Sequence, residues 1–243
     1  MKTKGFKRFE DRLRYFRTDM EVCEVILMNK ELLKGEGNLI FPKVNELKHP
    51  ILFNRNNNPN SRKLVLCHLK KSIYVSFIKE MYEEVTEYLR YILKEATMNG
   101  ADTDRIVGEH NVKMKANDIL TKGTKREIVE AIMDQIFQQL ENEKSTLELI
   151  TKIKNKLGLN VTDEIIQAAL PYLKIRHIFV HSDGKPNQEF KEKYPDIALD
   201  RKERIALSSE FAIEAYNTVL ELMKDIDQDM LNKNYISSSE RME

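Results

Sequence analysis

The stretch Leu173-Lys174-Ile175-Arg176-His177-Ile178-Phe179-Val180-His181-Ser182-Asp183-Gly184 holds the side chains best suited to chemistry in this chain. Histidine titrates near neutrality and can give or take a proton. Arginine stays charged and presents a planar fork of donors that matches phosphate oxygens. Arg176, His177 and His181 therefore bring proton transfer and anion binding to one short segment. On a helix, His177 and His181 project from the same face, being four residues apart. Arg176 and His181 are five apart, so an ideal helix separates them by about 140°. They converge only if the last turn unwinds, or if another helix or another protomer completes the site; a lone chain holds an incomplete one. Histidines late in a helix have a second ordinary use, as partners for its free carbonyls. His49, His68 and His110 stand alone in their segments and read as structural or exposed. Cys67 beside His68 has no third residue to orient a thiol nucleophile.

The elements that must position this segment read as helices. Thr162, Asp163 and Glu164 form a helix start, with a hydroxyl cap followed by acids at the positive end of the dipole. Pro171 interrupts or kinks that helix, or opens a second one. Leu66, Leu69, Ile73, Phe77, Met81, Val85, Tyr88 and Ile92 recur at helical spacing and predict a long core helix over 64–93. Glu80, Glu83, Glu84 and Glu87 sit on its other face and read as solvated, with Glu80 and Glu84 the candidates for orienting Arg176. Amphipathic periods predict helices over 124–140 and 147–157, the second stopped by Gly158, and a last helix from Ser208 to Met230. Residues 99–122 read as a short helix amid loops, 184–207 as a loop or irregular hairpin, and the tail from Asn232 as polar and frayed.

The N-terminal segment carries Phe6, Phe9, Leu13, Phe16, Met20, Cys23 and Leu27 at spacings of three and four, a seam for packing on another helix. Around that seam lie Lys2, Lys4, Lys7, Arg8, Arg12, Arg14 and Arg17 against Glu10 and Asp11; up to residue 17, seven minus two leaves +5. A solvated face explains such a run, and so does a phosphate-contacting arm through Arg8, Arg12 and Arg14. Asn54 to Asn60, broken by Arg55 and Pro59, marks residues 31–62 as a connecting loop. The organisation is an N-terminal helical extension and linker over 1–60, a helical domain over 61–231 and a polar tail over 232–243. The fold class is all-α, an antiparallel helical bundle, with room for a short irregular hairpin.

Composition agrees. Gly (8) and Pro (6) are scarce for 243 residues, which favours helices over a turn-rich sandwich. Forty basic and 39 acidic residues leave a net charge of +1, so nucleic-acid affinity would have to come from local patches. Cys23 and Cys67 lie far apart without ligand-spaced neighbours, which argues against both a disulfide framework and a zinc site and for reduced thiols in a cytosol. No stretch approaches the roughly 18 apolar residues that span a bilayer, and no secretory h-region follows the basic start. The phosphate-loop, dinucleotide and zinc-protease strings are all missing. The expectation is a cytoplasmic protein without metal, cofactor or membrane partner.

At Arg176-His177-Ile178-Phe179-Val180-His181 the sequence resembles the HEPN superfamily, whose motif is Arg, a polar residue, three or more further residues, then His. Ser182-Asp183-Gly184, Phe190 and Ile205-Ala206-Leu207-Ser208 before a final helix resemble the branch called RiboL-PSP-HEPN. The long helix 64–93 fits that branch too, and the likeness covers about residues 60–230 in architecture; residues 1–55 have no counterpart. The resemblance implies a HEPN-like bundle and an RNA endonuclease that needs no metal. It also implies a homodimer whose two Arg/His motifs line one cleft. In such a site His181 transfers protons, Arg176 binds the phosphate and the charge built up during 2′-OH attack, and His177 positions either partner. The implied role is a toxin or defence effector acting on RNA, with an antitoxin or regulatory protein as a further partner. The alternative is a non-catalytic HEPN-like module that dimerises and binds RNA or a nucleotide.

Overall fold

Capping chemistry sets where the helices begin. Thr124 Oγ1 accepts from the backbone of Glu127 at 3.2 Å, and Glu127 reaches back to the Thr124 N–H at 3.0 Å. This reciprocal pair starts α6 (Lys125–Glu141). Ser145, Thr162 and Ser208 cap α7 (Thr146–Leu157), α8 (Asp163–His181) and α10 (Ser209–Asn232) in the same single-sided way. Gly158 ends α7 at φ 60°, where a side chain would be strained.

The computed structural model describes residues 1–29, 45–55, 58–142 and 145–242. Part of the loop expected over 31–62 lies outside them. The chain opens with α1 (Lys4–Met28), and a one-turn helix, α2 (Pro50–Phe53), precedes α3 (Pro59–Met98). Two short helices, α4 (Thr103–Val107) and α5 (Ala116–Leu120), occupy the stretch expected to hold one. The fold is mostly helical.

Two compact units divide the chain: Met1–Arg12 with Ile78–Glu243, and Leu13–Phe77. In the larger unit α8 packs on α10 and on α7, and the core collects Leu170, Leu173 and Ile175 with Val219, Leu222 and Met223. Ile78, Met81, Val85, Tyr88 and Ile92 of α3 are all buried. In the smaller unit, Lys70 and Tyr74 both donate to Glu24, at 2.8 and 2.9 Å. Leu69, expected inward, is 43% exposed there, and Tyr74 is buried instead. Ile73, also expected inward, is half-buried, so the buried position there moves by one residue, and the expected period resumes at Phe77.

Three expectations change. Pro171 neither breaks nor restarts α8, which runs unbroken from Asp163 to His181. Proline removes one N–H, and the carbonyl four residues earlier belongs to exposed Gln167, where water can take the vacated bond. The stretch after residue 184 adds a helix, α9 (Gln188–Lys193), capped by the Asn187 side chain, while the irregular hairpin expected there is present as an isolated antiparallel bridge between Leu199 and Ile205. The tail is not frayed. Ile236 is buried, and β2 (Arg241–Met242) pairs antiparallel with β1 (Lys2–Thr3), Lys2 opposite Met242. Buried Asp227 of α10 fastens the same end, accepting from Thr3 N–H at 3.1 Å, Thr3 Oγ1 at 2.6 Å and Tyr88 Oη at 2.6 Å. The N-terminal seam is also used within the chain: Phe6, Phe9, Leu13, Met20 and Cys23 are buried. Those side chains are therefore not open to a second copy.

Candidate functional site

Arg176 leaves α8 between two residues of α3. Its guanidinium donates to Glu83 at 2.9 Å and lies 5.1 Å from the centre of the Tyr82 ring. The carboxylate and the ring fix the fork sideways, while its buried Nε–H has no acceptor within the protein. Burial pushes the Tyr82 phenol above its ordinary range, against a hydrogen bond with Thr146. Glu83, rather than Glu80 or Glu84, is thus the acid that orients Arg176. Glu84 is not on a solvated face at all: it is 4% exposed and accepts from Arg12 at 2.6 Å. Burial raises the Glu84 carboxyl above its usual range and Arg12 pulls it back.

His177 and His181 are both exposed, with ring centres 4.3 Å apart and planes tilted by 45°. The backbone explains this pairing. α8 keeps its helical bonds to the end, Ser182 N–H donating to Ile178 O at 3.0 Å, so residues four apart stay stacked. The unwinding that could have turned His181 towards Arg176 within one chain does not occur. Gly184 closes the helix at φ 81°, and its N–H returns to the Ile178 carbonyl at 3.2 Å. A Cβ there would lie 2.8 Å from Phe179 Cε1, so only glycine fits this turn unstrained.

Arg176 and His177 line a cavity of about 400 Å³; His181 is not on its wall. Lys174, Lys185 and Lys193 line it too, with carboxylates from Glu141 and Glu189. Lys174 and Lys193 approach the Tyr194 ring to 6.0 and 5.7 Å from its centre. Burial, then the charge of Lys193, lowers the affinity of Lys174 for its proton below that of an ordinary lysine. The hydroxyl of Tyr194 is buried and lacks a hydrogen-bond partner.

Arg8 and Arg12 do not line this cavity, and Arg14 belongs to the smaller unit. Arg12 is held by Glu84, with Glu80 3.9 Å away. Arg8 lines a second hollow of about 170 Å³ with Arg90, Arg126 and buried Glu95, and Arg14 is not free either. Among the described residues no three His, Cys, Asp or Glu side chains come together as metal ligands, and no helix is long and apolar enough to cross a membrane.

Sequence reasoning missed Glu83 as the partner of Arg176, because 93 positions separate them. It also missed Lys193 and Tyr194 at the end of α9. A signal for α9 was present: Asn187 as a cap, Glu189 in the first turn, and Lys191 and Lys193 in the last. Comparison of the chain with family models, curated proteins and solved structures found no match.

Proposed function

We propose that this protein is a metal-independent endoribonuclease with a HEPN-like helical bundle, cleaving RNA by 2′-OH attack through Arg176 and His181. The observation that carries this reading is Arg176, clamped by Glu83 and Tyr82 with a free buried Nε–H, one residue before a close pair of tilted histidine rings beside a cation-rich cavity. A guanidinium held sideways and still lacking one acceptor suits a phosphate oxygen. His181 moves the proton, and His177 sits between the two and positions either. In a straight α8 the two reactive groups diverge by about 140°. The reading therefore includes a homodimer in which His181 of one protomer works with Arg176 of the other. We place the enzyme in the cytoplasm as a toxin or defence effector, held in check by an antitoxin or regulatory protein.

The test is incubation of purified protein with a mixture of structured and unstructured RNAs, with and without EDTA, beside Arg176→Ala and His181→Ala. Cleavage that persists in chelator and disappears in both variants is expected, since losing a general acid or base lowers rate by about 10²–10⁴. Intact RNA in every lane would reject the enzyme, and RNA affinity without cleavage would leave the binding-module alternative.

A further inference from the structure

The cavity beside Arg176 carries more positive charge than that one arginine supplies. Lys174, Arg176, Lys185 and Lys193 meet Glu141 and Glu189 on its walls, an excess of two cations over carboxylates. Among the described residues, Lys174, Lys185 and Lys193 take part in no ion pair, whereas the neighbouring Lys191 points away to Glu203 at 3.6 Å. Two of those lysines flank one ring, Tyr194, whose buried hydroxyl has no partner. Like charges gathered round an unsatisfied donor are unfavourable in an empty site and favourable once an anion enters. The depressed proton affinity of Lys174 points the same way, because an anion would restore it.

Resting on the ribonuclease reading, we infer that this cavity is a second phosphate subsite, which takes the phosphate next to the scissile one and restricts the substrate to unpaired RNA. Lys174, Lys185 and Lys193 supply the charge and Tyr194 Oη the directed hydrogen bond. A volume of about 400 Å³ is that of a pocket for a small ligand, not a flat track. A single strand can bend a nucleotide into such a hollow; a duplex, whose phosphates lie on a stiff outer surface, cannot. The anion could also be a free nucleotide with the same phosphate chemistry, so the test separates the two sources.

Full-length His181→Ala, which binds without cutting, is titrated across a salt series with three probes. These are a fluorescent unpaired RNA of about 12 nucleotides, the same sequence as a duplex, and a nucleoside monophosphate. Each titration is repeated in a Lys174→Ala/Lys193→Ala background, with Lys191→Ala as the charge control outside the cavity and circular dichroism as the check on folding. Affinity for the unpaired strand should fall at least about tenfold in the double variant, and the salt slope should flatten by about 0.7 for each phosphate no longer neutralised. Tyr194→Phe, which keeps the ring, should weaken binding roughly two- to tenfold, the worth of one hydrogen bond. Lys191→Ala should match the parent, and the duplex should bind at least about tenfold more weakly than the strand. A monophosphate that binds as tightly as the strand, and loses affinity in the double variant, would overturn the strand subsite in favour of a free-nucleotide site. Equal strand affinity and salt slope in the double variant and Lys191→Ala would overturn the subsite altogether, as would preference for the duplex. Because binding is read in a protein that does not cut, failure of the cleavage assay and failure of this subsite show up separately.

Discussion

Asp227→Ala should be among the most destabilising single changes in the larger unit. The carboxylate is 3% exposed and accepts three hydrogen bonds, at 3.1, 2.6 and 2.6 Å, from Thr3 N–H, Thr3 Oγ1 and Tyr88 Oη. A hydrogen bond to a charged acceptor contributes about 1.5–3 kcal/mol. Three on one carboxylate do not add in full, since they share an acceptor and the charge itself costs desolvation to bury. Truncating one side of a buried charged network costs about 3–5 kcal/mol, which is the value expected here. Urea unfolding followed by the helical circular dichroism signal should show the loss as a lower midpoint with an unchanged slope. For a chain of this size the melting temperature should fall by roughly 6–20 °C. Tyr88→Phe, which leaves Asp227 both Thr3 donors, should lose less, about 1.5–3 kcal/mol. An Asp227→Ala protein within about 1 kcal/mol of the parent, or no worse than Tyr88→Phe, would refute the reasoning that this network fastens the N-terminus.

Other expectations follow from the same geometry. Burial, then the charge of Asp227, pushes the Tyr88 phenol well above its ordinary range. The fold thus favours the protonated phenol, and its contribution is complete below about pH 10 and lost above it; urea midpoints should fall along that alkaline limb, less steeply in Tyr88→Phe. Gly184→Ala combines φ 81° with a Cβ 2.8 Å from the Phe179 ring. It should cost about 1–3 kcal/mol and loosen the end of α8, read as faster amide exchange at Ser182 to Lys185; unchanged exchange would show that the turn accepts a side chain. Glu83→Ala removes a half-exposed pair with Arg176 and should change stability by at most about 1 kcal/mol. It should nevertheless slow RNA cleavage by roughly ten- to hundredfold through misplacement of the guanidinium, with Glu83→Gln keeping more activity; equal rates would mean Arg176 needs no orienting partner.

The helices were legible where periodicity and caps agree. Thr162 and Ser208 announce α8 and α10, Gly158 stops α7, and the inward set Phe211, Ala215, Val219, Leu222, Met223 and Ile226 is buried as its spacing requires. What sequence could not supply was pairing between distant elements. Glu80, Glu83, Glu84 and Glu87 look alike along α3, yet Glu84 is buried against Arg12 while Glu83 turns to Arg176. These two are neighbours in sequence, and the rotation of about 100° between them decides which partner each meets. Pro171 misleads because its penalty depends on whether the freed carbonyl is wet, and Gln167 is exposed. The tail misleads because one apolar residue, Ile236, and a two-residue ladder suffice to hold a polar segment down. Of the candidate residues, Arg176 and His177 meet at the cavity, His181 joins through the His177 ring, and Arg12 is committed elsewhere.

The most direct test of the central claim is the chemistry left on the cut RNA. Fragments produced by the purified protein in EDTA are separated and their ends determined by mass spectrometry, with His181→Ala run in parallel. Attack by the neighbouring 2′-OH requires a 2′,3′-cyclic phosphate or its 3′-phosphate product on one fragment and a 5′-hydroxyl on the other, all absent from the variant. Fragments carrying 5′-phosphate and 3′-hydroxyl ends, or the same fragments from His181→Ala, would contradict the account.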